Sequence, residues 1–273
     1  HLDVHDGFED YVAAKMNIAK NQTENDFFIF NAENPIVLKN VENLKGQLKA
    51  ELQPFQDYNL AHIQEDHFLW GDEALFKTDI LKIPGKHNQK NACAAMIATF
   101  DFLREKGFEN EEIFDFWREG LSKFAGLPHR LKFVREFEGV RFYDDSIATT
   151  PGSAIAALNS FEKPKILILG GSNKGADLSE LIEKIAKMPE QELRKVILMG
   201  AESEKLAQKL ISSGFDRFIN LGTKTNMQEV VKTAFENAKS GDVVILSPAH
   251  ASFDMFKSYV DRGEKFVENV NLL

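Results

Sequence analysis

Apolar and polar positions in the second half of the chain fall into short apolar runs separated by stretches of helical period. Residues 140–143, 165–169, 196–199, 217–221 and 243–246 are compact runs rich in β-branched and other apolar side chains, and helical patterns separate most of them. Short buried strands joined by helices predict a parallel sheet covered on both faces, a doubly wound α/β domain. The first half reads differently. Asp6 and Glu9 make a capping-box-like pair, and Phe8, Tyr11, Val12 and Ile18 recur at helical spacing with Lys15 inside their stripe. Residues 26–31 predict a buried strand ended by a turn at 31–35, and 67–70 a short strand in an otherwise weak stretch. A helix opens at 84–88, carries Ala92, Ala95, Met96, Thr99, Phe102 and Leu103 as its apolar positions, and closes at Gly107; a second, over 111–123, presents Ile113, Phe114, Trp117 and Leu121. Gly126-Leu127-Pro128 then marks a domain boundary, dividing 1–127 from 128–273.

Composition narrows the function. The 273 residues are 43% hydrophobic and 27% charged, enough for one or two cores. With 33 basic against 42 acidic side chains the net charge is -9, which argues against nucleic acid as a partner. A single cysteine, Cys93, excludes an internal disulfide framework and a multi-cysteine zinc site. No apolar run reaches the roughly 20 residues of a membrane span, so no membrane partner is expected. The chain starts His-Leu-Asp-Val-His, without initiator Met or leader, and reads as a piece whose upstream part is missing.

Ligands of doubly wound sheets collect at the carboxyl ends of the strands, which directs attention to 144–146, 170–174, 200–201, 222–223 and 247–249. Residues 170–175 lack the glycine spacing of a dinucleotide fingerprint, and no segment has the Walker pattern. Either the protein uses no nucleoside triphosphate or the phosphate cradle lies upstream. Lys174 brings a point charge to a glycine turn, suited to a carboxylate or phosphate, or is a solvated lysine in a plain turn. Arg130 offers a phosphate clamp or ties down a linker. Asp144-Asp145-Ser146 suits a ribose, a metal or an arginine, or else caps the helix at 151–161. His1, Asp3 and His5 alternate as metal ligands would on an extended segment, or are solvated histidines or a tag remnant. Lys15, on an apolar face, either snorkels or is a costly buried amine that carbon dioxide converts to a carbamate, a carboxylate-like metal ligand. Asn88 and Asn91, one turn apart, suit an adenine edge or a helix cap.

In order, His1-Leu2-Asp3, Ala13-Ala14-Lys15, His87-Asn88 with Asn91, Pro128-His129-Arg130, Tyr143-Asp144-Asp145-Ser146 with Thr149, and Gly170-Gly171 with Lys174-Gly175 resemble the Mur ligases of peptidoglycan synthesis. Leu246-Ser247-Pro248-Ala249, Ser252, Asp254, Phe256 and Arg262-Gly263 with Phe266 are similar to the tail of the D-glutamate-adding members. The resemblance implies a cytoplasmic, monomeric, three-domain ligase that uses ATP and Mg2+. This chain would hold the second half of the central domain, 1–127, without its P-loop, and a Rossmann-like C-terminal domain, 128–273; alone it would be inactive. The carboxylate of UDP-N-acetylmuramoyl-L-alanine would be phosphorylated and the acyl phosphate attacked by the amine of D-glutamate.

By the same resemblance His1 matches a magnesium-binding histidine and Lys15 a carbamylated lysine. Asn88 and Asn91 match adenine-side asparagines, and Arg130 and Asp145 a pair that reaches ATP. Thr149, Lys174, Ser252 and Tyr259 match residues that hold the D-glutamate carboxylates. Two departures stand out: Ile147 where many members have lysine, and His250 where many have cysteine. The alternatives are another Mur-type amino-acid ligase and a non-catalytic α/β nucleotide-binding or interaction module.

Overall fold

A computed structural model describes residues 5–172 and 175–273. The chain divides into two compact units: the described residues of 1–82 with Lys86–Phe124, and Ile83–Gly85 with Ala125–Leu273. No helix among the described residues is long and apolar enough to cross a membrane.

The first unit runs α1 (Phe8–Met16), β1 (Phe27–Asn31), α2 (Pro35–Leu44), β2 (Glu51–Phe55), β3 (Ala61–Gln64), β4 (His67–Trp70), β5 (Glu73–Lys77), α3 (Lys86–Glu105) and α4 (Asn110–Lys123). β1 and β2 pair in parallel with α2 as their crossover, while β3, β4 and β5 form an antiparallel meander. The weak stretch after residue 35 thus holds a helix that its own residues announce. Pro35 stands at the first helical position, and the Asn34 side chain accepts from the backbone N–H of Ile36 and Val37.

Three expectations for this unit change. α3 buries Ala92, Cys93, Met96 and Ile97, whereas Ala95, Thr99 and Phe102 are exposed. The core side is rotated toward Cys93 and Ile97, because the meander's Phe68 and Phe76 and α4's Ile113, Phe114 and Trp117 decide which face is covered. The Asp6–Glu9 capping box does not form: α1 begins after Gly7 with no side-chain cap, and the Asp6 N–H donates to Asp10. Nor does α1 bury any residue. Lys15 is exposed, its Nζ 5.6 Å from the Tyr11 ring centroid. The expected cost of a buried charge at Lys15 is therefore absent, since an exposed ammonium keeps its hydration.

The second unit runs β6 (Lys132–Phe137), β7 (Val140–Asp144), α5 (Pro151–Leu158), β8 (Lys165–Gly170), α6 (Ser179–Lys187), β9 (Leu193–Met199), α7 (Ser203–Ser212), β10 (Phe218–Asn220), α8 (Met227–Glu236), β11 (Val243–Leu246) and α9 (Tyr259–Asn271). Its sheet has the order β10-β9-β8-β11-β7-β6, parallel throughout except for the edge pair β6–β7. Side chains of a strand alternate between faces. On β8, Leu167 and Leu169 join α5, α6 and α7 in one core, while Ile166 and Ile168 join α8 and α9 in another. Two covered faces explain why these strands read as unbroken apolar runs, and the doubly wound expectation holds. The antiparallel strand β6, with its charged residues, carries no apolar run that would announce it. It is made by a hairpin whose turn residues, Glu138 and Gly139, both have positive φ.

Candidate functional site

The parallel strands all point their carboxyl ends to one edge of the sheet, and the loops leaving β7, β8, β9 and β11 meet there. Backbone bonds lock them together. The Asp145 N–H donates to the Leu246 carbonyl, the Ala249 N–H to Ala148, the Gly170 N–H to Pro248, and Ser172 and Ala251 form a two-way bridge. Glycine makes the crowding possible. A Cβ on Gly171, at φ +138°, would lie 2.2 Å from the Ala251 carbonyl oxygen, and one on Gly200 would lie 2.4 Å from an Asp254 carboxylate oxygen.

Polar groups in this edge are buried and paired. Asp145 accepts from the Leu131 N–H at 3.0 Å and from the Ser247 hydroxyl at 2.8 Å. Burial nevertheless pushes its carboxyl up to about 7, against those two bonds and the Arg130 charge. A carboxyl poised near neutrality at a strand end marks a candidate functional position. Arg130 itself is exposed. Asp144 accepts from the Ser146 N–H at 2.9 Å and pairs with His129 Nδ1 at 2.7 Å. Arg262 of α9 is wholly buried, and burial lowers its guanidinium to about 10. It donates to the Ser146 hydroxyl, the Ser146 carbonyl and the His250 carbonyl, and the Ser146 hydroxyl in turn donates to the Tyr259 carbonyl. The alternative of Asp144 to Ser146 as a helix cap falls away, because Thr150 caps α5.

The remaining candidates divide by unit. Thr149 is half-buried in the loop after β7, Ser252 is buried after β11, and Tyr259, at the first position of α9, is partly exposed. All three belong to the interlocked edge that holds Asp145. In the first unit Asn88 and Asn91 are neighbours on α3, with the Asn91 amide donating to Asn88 Oδ1 at 3.4 Å. His1, Asp3 and Lys174 lie outside the described residues. No group of three or more His, Cys, Asp or Glu side chains among the described residues is arranged to hold a metal ion. Lys15 is exposed beside Tyr11. Sequence reasoning quoted Arg262, His129 and Ser247 only as parts of motifs and missed what they do. A lone arginine inside an otherwise amphipathic helix, followed by glycine, was the available signal for the first.

The doubly wound sheet with a polar, interlocked carboxyl edge defines a ligand-handling α/β unit of the Rossmann-like kind. Family models then identify it: residues 1–99 match the Mur ligase middle domain and 129–250 the Mur ligase, glutamate ligase domain. The chain belongs to the Mur ligase family. It is 37% identical over 283 residues to a UDP-N-acetylmuramoylalanine--D-glutamate ligase of Caldicellulosiruptor saccharolyticus, an alignment covering 100% of the chain and 58% of that protein. A protein of the same name from Clostridium perfringens is 34% identical, with 99% and 57% covered. The chain thus spans under two thirds of the length of these curated relatives. Among solved structures, the MurF ligase of Thermotoga maritima in complex with ADP matches with a TM-score of 0.60 at 20% identity, covering 96% of this chain and 56% of that one. Folylpolyglutamate synthetase of Lactobacillus casei matches with a TM-score of 0.57 at 13% identity, covering 98% and 60%. Both share the fold.

Proposed function

We propose that the chain is the part of a cytoplasmic, monomeric ATP-dependent ligase that helps join D-glutamate to UDP-N-acetylmuramoyl-L-alanine. The observation that carries this reading is similarity to D-glutamate ligases along its whole length, at 37% identity over 283 residues. The interlocked edge around Asp145 supports it, because Mur-type chemistry needs placed charge more than a nucleophilic side chain.

In this reading the substrate carboxylate takes the γ-phosphoryl group of ATP, the D-glutamate amine attacks the acyl carbon, and phosphate leaves. Asn88 and Asn91 hold the adenine edge through paired donors and acceptors. Arg130 faces the phosphates, and Asp145 fixes the loop beneath it. Thr149, Lys174, Ser252 and Tyr259 hold the two D-glutamate carboxylates; a diacid needs at least two anchoring points. His1 and a carbamylated Lys15 as magnesium ligands rest on the sequence resemblance alone. The division into a partial central domain, 1–127, and a C-terminal domain, 128–273, belongs to the same reading.

The test is a panel of amino acids offered to the protein at its encoded length, with ATP and UDP-N-acetylmuramoyl-L-alanine. Phosphate release dependent on D-glutamate is expected. Release dependent on another amino acid instead, or none with any, overturns the reading.

A further inference from the structure

His129 and Asp144 form a pair that the roles above leave unused. Asp144 is buried at the end of β7, one oxygen accepting from the Ser146 N–H and the other 2.7 Å from His129 Nδ1. A carboxylate there accepts, so Nδ1 carries a proton, and in the neutral ring Nε2 is the nitrogen with the lone pair. Among the described residues no hydrogen bond to Nε2 is formed.

Three separate features build this arrangement. His129 sits at φ +60°, its carbonyl accepting from the Ile147 N–H. Asp144 is held by its own loop. Gly263, inside α9, leaves room for the ring: a Cβ there would lie 2.2 Å from His129 Nδ1 and 2.8 Å from Asp144 Oδ2. A glycine in a helix interior costs roughly 1 kcal/mol, and here it makes room for the imidazole. The ring meets Tyr259 edge to face, with centroids 6.2 Å apart, and Tyr259 is one of the residues assigned above to D-glutamate. An imidazole oriented by a buried carboxylate, beside the amino-acid subsite, has the layout of a general base.

We propose that His129, oriented by Asp144, is the base that deprotonates the attacking amine; the inference rests on the ligase reading above. The amino acid arrives as an ammonium, and His129 Nε2 takes one N–H proton. The freed lone pair forms the C–N bond at the acyl carbon. The bond from that carbon to the phosphate oxygen then breaks, its electron pair leaves with the phosphate, and the surplus proton on nitrogen goes to the phosphate, which departs as HPO4 2-. His129 afterwards returns its proton to solvent. Asp144 is a positioning residue. The other charged or titratable groups around the pair are Arg130 and Asp145 on the adjoining loops and Arg262 and Tyr259 on α9.

The experiment compares two nucleophiles in the protein at its encoded length. D-glutamate needs deprotonation, whereas O-methylhydroxylamine stays unprotonated well below neutral pH and traps an acyl phosphate without a base. In His129→Gln amide formation should fall by about 10²-fold, with O-methyl hydroxamate formation within about two-fold of the unsubstituted protein, and Asp144→Asn should show the same split. Hydroxamate formation is at the same time the measure that each variant remains folded. If both products fall together in the variants, the inference is overturned and the ligase reading stands. If the unsubstituted protein acylates neither nucleophile, both are overturned.

Discussion

α1 and the end of β7 each carry a charged side chain that a reading of the sequence makes central, and the two differ in what surrounds them. Lys15 lies on a helix that buries no residue, and its ammonium stays in water beside Tyr11. Asp145 lies where β7, β11 and their loops converge, 6% exposed, its carboxyl pushed up to about 7 by burial. An apolar stripe on a helix becomes a core face only if something packs on it, whereas a strand end inside a parallel sheet is surrounded by its neighbours. Position in the topology, more than local pattern, determines how strongly a charge is perturbed.

The sharpest way to break the contrast is Arg262→Ala. The guanidinium is fully enclosed and donates to Ser146 and His250, so truncation leaves buried acceptors and a void, at a cost of about 3–5 kcal/mol. Chemical denaturation should show it, and a loss below 1 kcal/mol would mean that the network is not what joins α9 to the β7 loop. Gly263→Ala pushes a methyl into His129 and Asp144 and should cost about 2 kcal/mol by overpacking, with the amide product falling before the hydroxamate.

Asp145→Asn acts in the opposite direction. The folded-state carboxyl, at about 7, lies above its ordinary value of 3.8. Its favourable contribution is therefore full below the ordinary value and lost as pH rises through about 7, so the ionised form weighs against the fold under alkaline conditions. Asparagine can keep the Leu131 and Ser247 bonds without the charge. At pH 8 the variant should be more stable by about 2 kcal/mol, with the gain shrinking toward pH 5 and nucleotide-dependent activity reduced. Equal gains at both pH values would contradict the assigned titration. Lys15→Ala should move stability by less than about 0.5 kcal/mol. In the protein at its encoded length it should abolish activity that added short carboxylates partly restore; full activity in the variant would remove the carbamate role.

Much of the second unit is legible because its parallel strands contain self-contained apolar runs. Residues 166–169 are apolar on both faces, and only a sheet covered twice accounts for that. Asp145 is legible for a related reason: rules of topology send ligands to strand ends. The face of α3 is not legible, since Ala92, Ala95, Met96 and Ile97 all satisfy a helical period and only the meander and α4 choose among them. Arg262 is hidden too. Its partners lie 116 and 12 positions away in sequence, and no local rule brings them together.

Residue by residue, the chain itself settled where most strands and helices of the second unit lie, the order in which they alternate, and the family whose motifs it shares. The elements rest on local preference and period, which neighbours along the chain are enough to specify, and the family rests on the motifs themselves. Tertiary structure alone decided which polar groups lose their water. It left Lys15 solvated, enclosed Arg262, drew Asp145 to the edge of neutrality and set Asp144 against His129. Desolvation depends on everything that packs around a group, and what packs there comes from distant parts of the chain.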